Sequence, residues 1–340
     1  MIRDARVLRA AFVPREVEHR NAEVNHLSSV LAPLTDGQPA ETAVVTGPSG
    51  AGKTCLSKFV AERLREEVLD VEATYVNCWR NYSRYRTLYQ ILDDLGQTID
   101  IHRQSTPHDE LVDRLQRYDG PRRVIILDEA DQLEDPEVIY DLHSLSQFAL
   151  VCIANKEELL YNRVDDRIVS RLRASEHVLM ERYHVDELAD ILRARAEWGL
   201  EHDVIDDGQL HRIADAAAGD ARLAIGILRT AASRADREGA DEISDEHLLD
   251  ASTDARAQIK QRNLDSLTPH QRTVYDIVRK QGPLAPGEIH ERYEDRVDDP
   301  RTLRTVRAYL SKLVEYNLLK ADGSSRDREY VVVSGNPPSP

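Results

Sequence analysis

Over the first 40 residues polar positions dominate, broken by Leu27, Val30, Leu31 and Leu34 at helical spacing ahead of the breaker Asp36-Gly37. From 43 to about 154, short apolar runs alternate with helical patterns. Ala43–Thr46, Ala73–Cys78, Arg123–Leu127 and Phe148–Ala154 read as strands. Lys53–Glu67, segments at about 85–95 and 108–118, and one beginning near Pro136 read as helices. Such alternation predicts a parallel sheet with helices on both faces, and uninterrupted runs such as Val124-Ile125-Ile126-Leu127 suit its centre. From about 183 to 260 the spacing is helical throughout, with Asp186 and Ser244 as caps, which predicts a small all-α domain. Helices at about 268–280, 286–293 and 300–316 then lead into two strand-like runs, Leu318–Ala321 and Glu329–Val333, around Asp322-Gly323-Ser324-Ser325. Three helices and a two-stranded wing make a winged-helix layout. The expected domains are 1–182, 183–260 and 261–334, with 335–340 a disordered tail.

The chemistry starts where the first strand ends. Val44-Val45-Thr46 feeds Gly47-Pro48-Ser49-Gly50-Ala51-Gly52-Lys53-Thr54, a G-x-x-x-x-G-K-[ST] loop set between a strand and a helix. The glycines let the backbone curl so that successive N–H groups face an anion, and the opening helix adds its partial positive end. Lys53 is placed to reach the β- and γ-phosphates of a nucleoside triphosphate, and the Thr54 hydroxyl to hold Mg²⁺. A chance match in a flexible loop would lack this strand before and amphipathic helix after.

The strand Val124–Leu127 runs into Asp128-Glu129-Ala130-Asp131. It carries Asp128 to the carboxyl end of the sheet, where the carboxylate can orient Mg²⁺. Glu129 is then placed to polarise a water attacking the γ-phosphate, and Asp131 has a supporting or structural part. An isolated Asp-Glu pair commonly just ends a strand; the glycine-rich loop upstream favours the chemical reading. The next strand ends at Asn155, whose amide can sense the γ-phosphate or the attacking water, although Asn at a strand end is often simple turn chemistry.

Charge alters the picture of partners. The net charge is −16, which argues against nucleic acid as a blanket partner. Its distribution is uneven: residues 257–340 hold 14 Lys and Arg against 12 Asp and Glu, a net +2, so the rest carries −18. An acidic, lysine-poor and arginine-rich composition with few large aromatics points to a halophilic cytoplasm. The three cysteines, Cys55, Cys78 and Cys152, have no metal-type spacing and read as small hydrophobes of a reducing compartment. Met1–Val13 has no continuous apolar segment and no run approaches a membrane span, so a cytoplasmic, nucleoid-associated protein without a membrane partner is expected.

On a helical wheel over 300–316, Leu303, Val306, Leu310, Leu313 and Val314 share one arc. The opposite arc holds Arg301, Arg304, Thr305, Ala308, Ser311 and Lys312, as suits a recognition helix in a major groove. Arg326 and Arg328 follow at the wing, placed for phosphates or a minor groove. A solvated helix face or a protein-docking module would carry the same residue types. Trp79–Arg86 is the one stretch where aromatic and basic residues interleave. It offers Arg80 and Arg84 as further DNA candidates, against a helix start buried on the sheet.

The glycine-rich loop, the Asp128-Glu129 pair and Asn155 together resemble AAA+ ATPases. Further stretches narrow the resemblance: Phe12–Arg20, Val76-Asn77-Cys78 followed by Tyr85-Arg86, Asp165–Leu172 and Gly219-Asp220-Ala221-Arg222. With the terminal winged helix, nearly the whole chain resembles the archaeal replication-initiator family of origin-recognition and cell-division-control type. The resemblance implies an α/β AAA+ P-loop ATPase with an all-α lid and a winged-helix DNA-binding domain. It assigns Arg222 as a lid arginine that reaches the nucleotide. Arg167 or Arg171, four apart on one helix, would be the arginine finger offered to a neighbouring subunit. It implies ATP or ADP with Mg²⁺, slow hydrolysis used as a switch, double-stranded origin DNA and the replicative helicase as partners, and self-association or pairing with paralogues on DNA. Two rival readings remain: a winged-helix transcriptional regulator with a structural nucleotide, and a mobile-element ATPase that selects DNA targets.

Overall fold

The computed structural model describes residues 1–68, 70–102, 106–161, 166–323 and 328–333, without the side chains of 159, 166 and 167. In chain order these residues form α1 (Asn21–Leu31), β1 (Ala43–Thr46), α2 (Lys53–Glu67), β2 (Val71–Asn77), α3 (Arg84–Asp94), α4 (His108–Gln116), β3 (Arg122–Asp128), α5 (Glu137–His143), β4 (Phe148–Ala154), α6 (Glu157–Tyr161), α7 (Asp166–Ala174) and β5 (Glu176–Leu179). The helices α8 (Val185–Gly199), α9 (Asp207–Ala217), α10 (Ala221–Glu238) and α11 (Asp245–Asp265) follow. The chain ends in α12 (Pro269–Gln281), α13 (Pro286–Glu294), α14 (Leu303–Glu315), β6 (Leu319–Asp322) and β7 (Glu329–Val332). Two compact units result, Met1–Ser252 and Thr253–Pro340.

In the first unit five parallel strands run in the order β2-β3-β4-β1-β5. Side-chain alternation splits the central strands between two apolar layers. Ile125, Leu127, Leu150 and Cys152 pack with α3–α5 residues such as Leu88 and Leu111 on one side. Val124, Ile126, Val151 and Ile153 pack with α1 and α2 residues such as Leu27 and Phe59 on the other. Hence β4 and the Val124–Leu127 run of β3 are apolar without a break: both faces there are covered. Cys78 and Cys152 lie in the first layer, and burial pushes the Cys152 thiol up to about 12.

The sequence pattern predicts four strands; the structure adds a fifth. Glu176-His177-Val178-Leu179 pairs only with β1, at the sheet edge, and of the four only Val178 is buried. An edge strand needs little apolar sequence, so no run announces it. The lead-in also differs. Leu8 is buried against Gly199, Ile2 bridges Leu200, and the amino terminus pairs with Asp236. The buried Arg195 guanidinium donates to the carbonyls of Val7 (2.8 Å) and Phe12 (3.1 Å) and lies over the Phe12 ring. Residues 1–12 therefore strap onto α8 and α10, through contacts too irregular to leave a period in the sequence.

Among the helical caps, Ser244 accepts from the His247 N–H at 3.3 Å as expected. The α8 cap is His184, with its N–H bonded to the Glu187 carboxylate; Asp186 sits in the first turn, where a negative charge complements the helix dipole.

The second unit packs α12, α13 and α14 against the antiparallel β6–β7 pair, with Leu284 bridging to Tyr330. Thr268 and Thr302 cap α12 and α14. Tyr293 is fully buried among the helices. This is the winged-helix arrangement. Because α14 begins at Leu303, Arg301 stands in the turn before it and not on its outward arc. The tail 335–340 lies outside the described residues.

Candidate functional site

Parallel order brings the carboxyl ends of β1, β3 and β4 together. Thr46 lies beside Ala154, and Leu127 beside Cys152, so the loop after β1, Asp128 and Asn155 share one edge. Open parallel sheets bind ligands at this edge. The loop takes a shape that side chains resist: Gly47, Gly50 and Gly52 have φ of 149°, 79° and 95°. A Cβ on Gly50 would stand 2.1 Å from Asp220 Oδ1, and one on Gly52 would stand 2.6 Å from Tyr183 Oη. Pro48, Ser49 and Ala51 complete the turn, and the Ala51 N–H donates to the Pro48 carbonyl. The Lys53 ammonium donates to the carbonyls of Gly47 (2.6 Å) and Pro48 (2.8 Å) and to Asn155 Oδ1 (2.9 Å). Strand order thus puts Asn155 and the loop lysine in direct contact.

At the end of β3 the Asp128 carboxylate is buried and accepts on one oxygen from two hydroxyls. Thr54 Oγ1 donates to Oδ2 at 2.9 Å, and Tyr75 Oη donates to the same oxygen at 2.7 Å. Desolvation around the hydroxyl, reinforced by the Asp128 charge, raises the Tyr75 phenol above its ordinary range, although the ring is partly exposed. Glu129 follows with φ 57°, a left-handed backbone uncommon for a residue with a Cβ, and it redirects the chain away from the strand. Asp131 is buried and accepts from Gln132 Nε2 at 2.6 Å, a structural placement.

Whether Mg²⁺ suits these residues follows from the donor chemistry. Among the described residues there is no cluster of three His, Cys, Asp or Glu that could cage a metal. One hydroxyl and one carboxylate, both hard oxygen donors in contact, are what Mg²⁺ takes when phosphates and water fill its other positions. The residues fit.

The lid reaches this loop through α10. The Ala221 N–H donates to the Gly50 carbonyl at 3.1 Å, and Asp220 caps the helix by accepting from the Leu223 N–H. Arg222 is therefore one residue from the loop contact, with an exposed side chain. Arg171 is exposed on α7 and lies over the Tyr140 ring, 4.5 Å from its centroid. The side chain of Arg167 lies outside the described residues. Arg84 does not reach outward: it forms a two-bonded ion pair with Asp141 and a third bond to Glu137, which ties α3 to α5. The buried Trp79 bears out the bland reading of that stretch, while Arg80 is exposed.

In the second unit, the exposed arc of α14 is centred on Arg304, Arg307 and Ser311, with Thr305 half-buried at its edge. Lys312 does not belong to it. Its side chain is 3% exposed, with the ammonium 4.2 Å over the Tyr316 ring. The wheel treats a lysine as polar over its whole length, but its four-carbon stem is apolar and can be buried. Arg301 pairs with Asp299, and its backbone is held by Tyr293 and His290. Arg328 is exposed just before β7, and Arg326 lies outside the described residues.

Tyr75 and Tyr183 are the residues that sequence reasoning missed; Asp220 and Arg20 lay inside stretches that it singled out without these contacts. Arg20 lies over the Tyr183 ring and donates to the Glu181 carbonyl, beside Gly52. Tyr75 did leave a signal. It stands two residues before Asn77 in β2, so alternation puts both on one face.

Residues 37–160 match the family model of an AAA domain, and residues 189–253 that of a Cdc6 AAA+ ATPase-type lid domain. Fold and site together thus define an AAA+ ATPase with a Cdc6-type lid and a winged helix. Over 339 residues the chain is 74% identical to ORC1-type DNA replication protein 9 of Halobacterium salinarum, covering 100% of this chain and 96% of that one. ORC1-type DNA replication protein 1 of the same organism is 49% identical over 307 residues, covering 90% and 100%. Among solved structures, that of the Aeropyrum pernix ORC1 protein in complex with DNA matches with a TM-score of 0.74 at 28% identity, covering 98% and 94%. The chain belongs to the ORC1-type DNA replication protein family. The Halobacterium relatives accord with a halophilic reading of the acidic composition. No helix among the described residues is long and apolar enough to cross a membrane.

Proposed function

We propose that this chain is an ATP-switched replication initiator. It binds double-stranded origin DNA and helps load the replicative helicase, acting in the cytoplasm at the nucleoid. Residues 1–182 bind nucleotide, 183–260 form the lid and 261–334 contact DNA. Lys53 engages the β- and γ-phosphates, and Thr54 and Asp128 hold Mg²⁺. When bound, Mg²⁺ neutralises charge on the phosphate oxygens. Glu129 polarises the attacking water, Asn155 and Arg222 report the γ-phosphate, and Arg167 or Arg171 serves a neighbouring copy or a paralogue. Arg304, Arg307 and Ser311 read the groove; Arg301, Thr305 and Arg328, with Arg326, flank it.

One observation carries this reading. The Gly50 carbonyl bonds the first N–H of the lid helix α10, so the phosphate loop and lid share a contact that a bound phosphate would bias. The DNA part is supported by the relative net basicity of the last 84 residues and by the similarity to a structure of an ORC1 protein in complex with DNA.

Chromatin immunoprecipitation of the tagged protein, wild type against Glu129→Gln, tests it. Discrete peaks at replication start sites that change in the variant are expected. Peaks confined to promoters and indifferent to Glu129 would support a transcriptional regulator instead; scattered target sites would support a mobile-element ATPase. The absence of peaks would make the winged helix a protein-docking module.

A further inference from the structure

The Asp128 carboxylate is held by more than the loop threonine. In the sheet register Tyr75 stands opposite Ile126, and Asn77 opposite Asp128. Tyr75 is thus diagonal to Asp128 on the same face, a separation that a tyrosine can span and a short side chain cannot. Its hydroxyl closes the distance, 2.7 Å from Oδ2. The ring is 36% exposed, and the Lys58 ammonium of α2 lies 3.5 Å from its centroid. Lys58 is also one turn beyond Thr54 on the same helix face, so α2 supplies both the threonine and the cation over the tyrosine ring.

We infer that Tyr75 is a positioning residue for the metal carboxylate: with Thr54 it saturates Oδ2 of Asp128 and turns the other oxygen toward Mg²⁺. Two donors on one oxygen leave a single orientation of the carboxylate in which both bonds are kept. With Thr54 alone the carboxylate can swing about that bond. Partners of this kind affect metal affinity by about 10- to 100-fold when removed. Tyr75 touches neither nucleotide nor metal in this scheme and acts through Asp128. The inference rests on the proposed Mg²⁺–nucleotide site.

Tyr75→Phe removes only the hydroxyl and keeps the ring under Lys58. Binding of a fluorescent ADP analogue is titrated in chelator and then against Mg²⁺, with Mn²⁺ binding read by electron paramagnetic resonance. The expected result is unchanged affinity in chelator, with the half-saturating Mg²⁺ and the Mn²⁺ dissociation constant raised about 10-fold. Equal metal dependence in variant and wild type would overturn the inference. So would a loss of affinity of the same size with and without metal, since that marks a general structural defect. Tyr75→Leu, which also removes the ring, guards against a compensating shift: it must weaken metal dependence at least as much as Tyr75→Phe. A wild-type protein whose nucleotide affinity ignores Mg²⁺ would instead sink the underlying site assignment.

Discussion

Gly50 shows how closely the loop is built to the lid. Its φ of 79°, and the 2.1 Å that would separate an added Cβ from Asp220 Oδ1, leave room for hydrogen alone. Gly50→Ala is expected to cost about 1–3 kcal/mol in stability, from the strained backbone and the displaced cap. It should also weaken nucleotide binding, because relief of the clash moves either the loop or the first turn of α10. Urea unfolding and nucleotide titration of the purified variant check both effects. Unchanged stability with unchanged binding would mean that Asp220 can turn away without loss. Glu129 is also left-handed without being glycine, as are His19, Asp203, Ala218 and Asn317 among the described residues.

Among the elements, α14 depends on the helix before it. Tyr293 on α13 is fully buried, and its hydroxyl is 2.6 Å from His270 Nδ1 and accepts from the Arg301 N–H at 3.2 Å. His290 Nε2 donates to the Arg301 carbonyl at 3.0 Å. The turn into α14 is therefore held by two side chains of α13. Tyr293→Phe should destabilise the winged helix by about 1–2 kcal/mol, the penalty for leaving buried polar groups unpaired. Thermal or urea denaturation followed by circular dichroism on the full chain measures it. The strap of residues 1–12 is likewise held in part by one side chain, Arg195. Arg195→Ala would strip two carbonyls of their donor and is expected to cost about 2–3 kcal/mol, read in the same experiment.

For the molecule as a whole, charge is the dominant fact. Outside the last 84 residues the excess of acid amounts to −18, and self-repulsion of such a surface opposes the compact state. Screening relieves it, so the melting temperature is expected to rise between about 0.1 M and about 2 M KCl. Differential scanning calorimetry over that range tests this; a flat or falling profile would mean that local ion pairs already balance the surface. High salt also weakens purely ionic DNA binding, since counterion release then contributes little. The exposed arc of Arg304, Arg307 and Ser311 would then have to work through base edges and through several spaced sites.

Much of this protein is written in local pattern. The glycine-rich loop, its flanking strand and helix, and the apolar strand ending at Asp128 are contiguous, and each short-range rule points to the same element; α2 spans Lys53–Glu67 and β4 spans Phe148–Ala154 as the pattern predicts. The winged helix was legible for the same reason, from three amphipathic helices and a Gly-containing turn. What lay beyond local pattern depends on contacts between distant segments. Edge strand β5 needs only one buried residue, Lys312 is buried with its ammonium over the Tyr316 ring, and Arg84 finds its carboxylates 53 and 57 residues away. The Tyr75–Asp128 bond likewise joins neighbouring strands whose register no single segment encodes. Periodicity reports which face of an element is apolar; it cannot report which partner arrives there, because that is set by the packing of the whole sheet and lid.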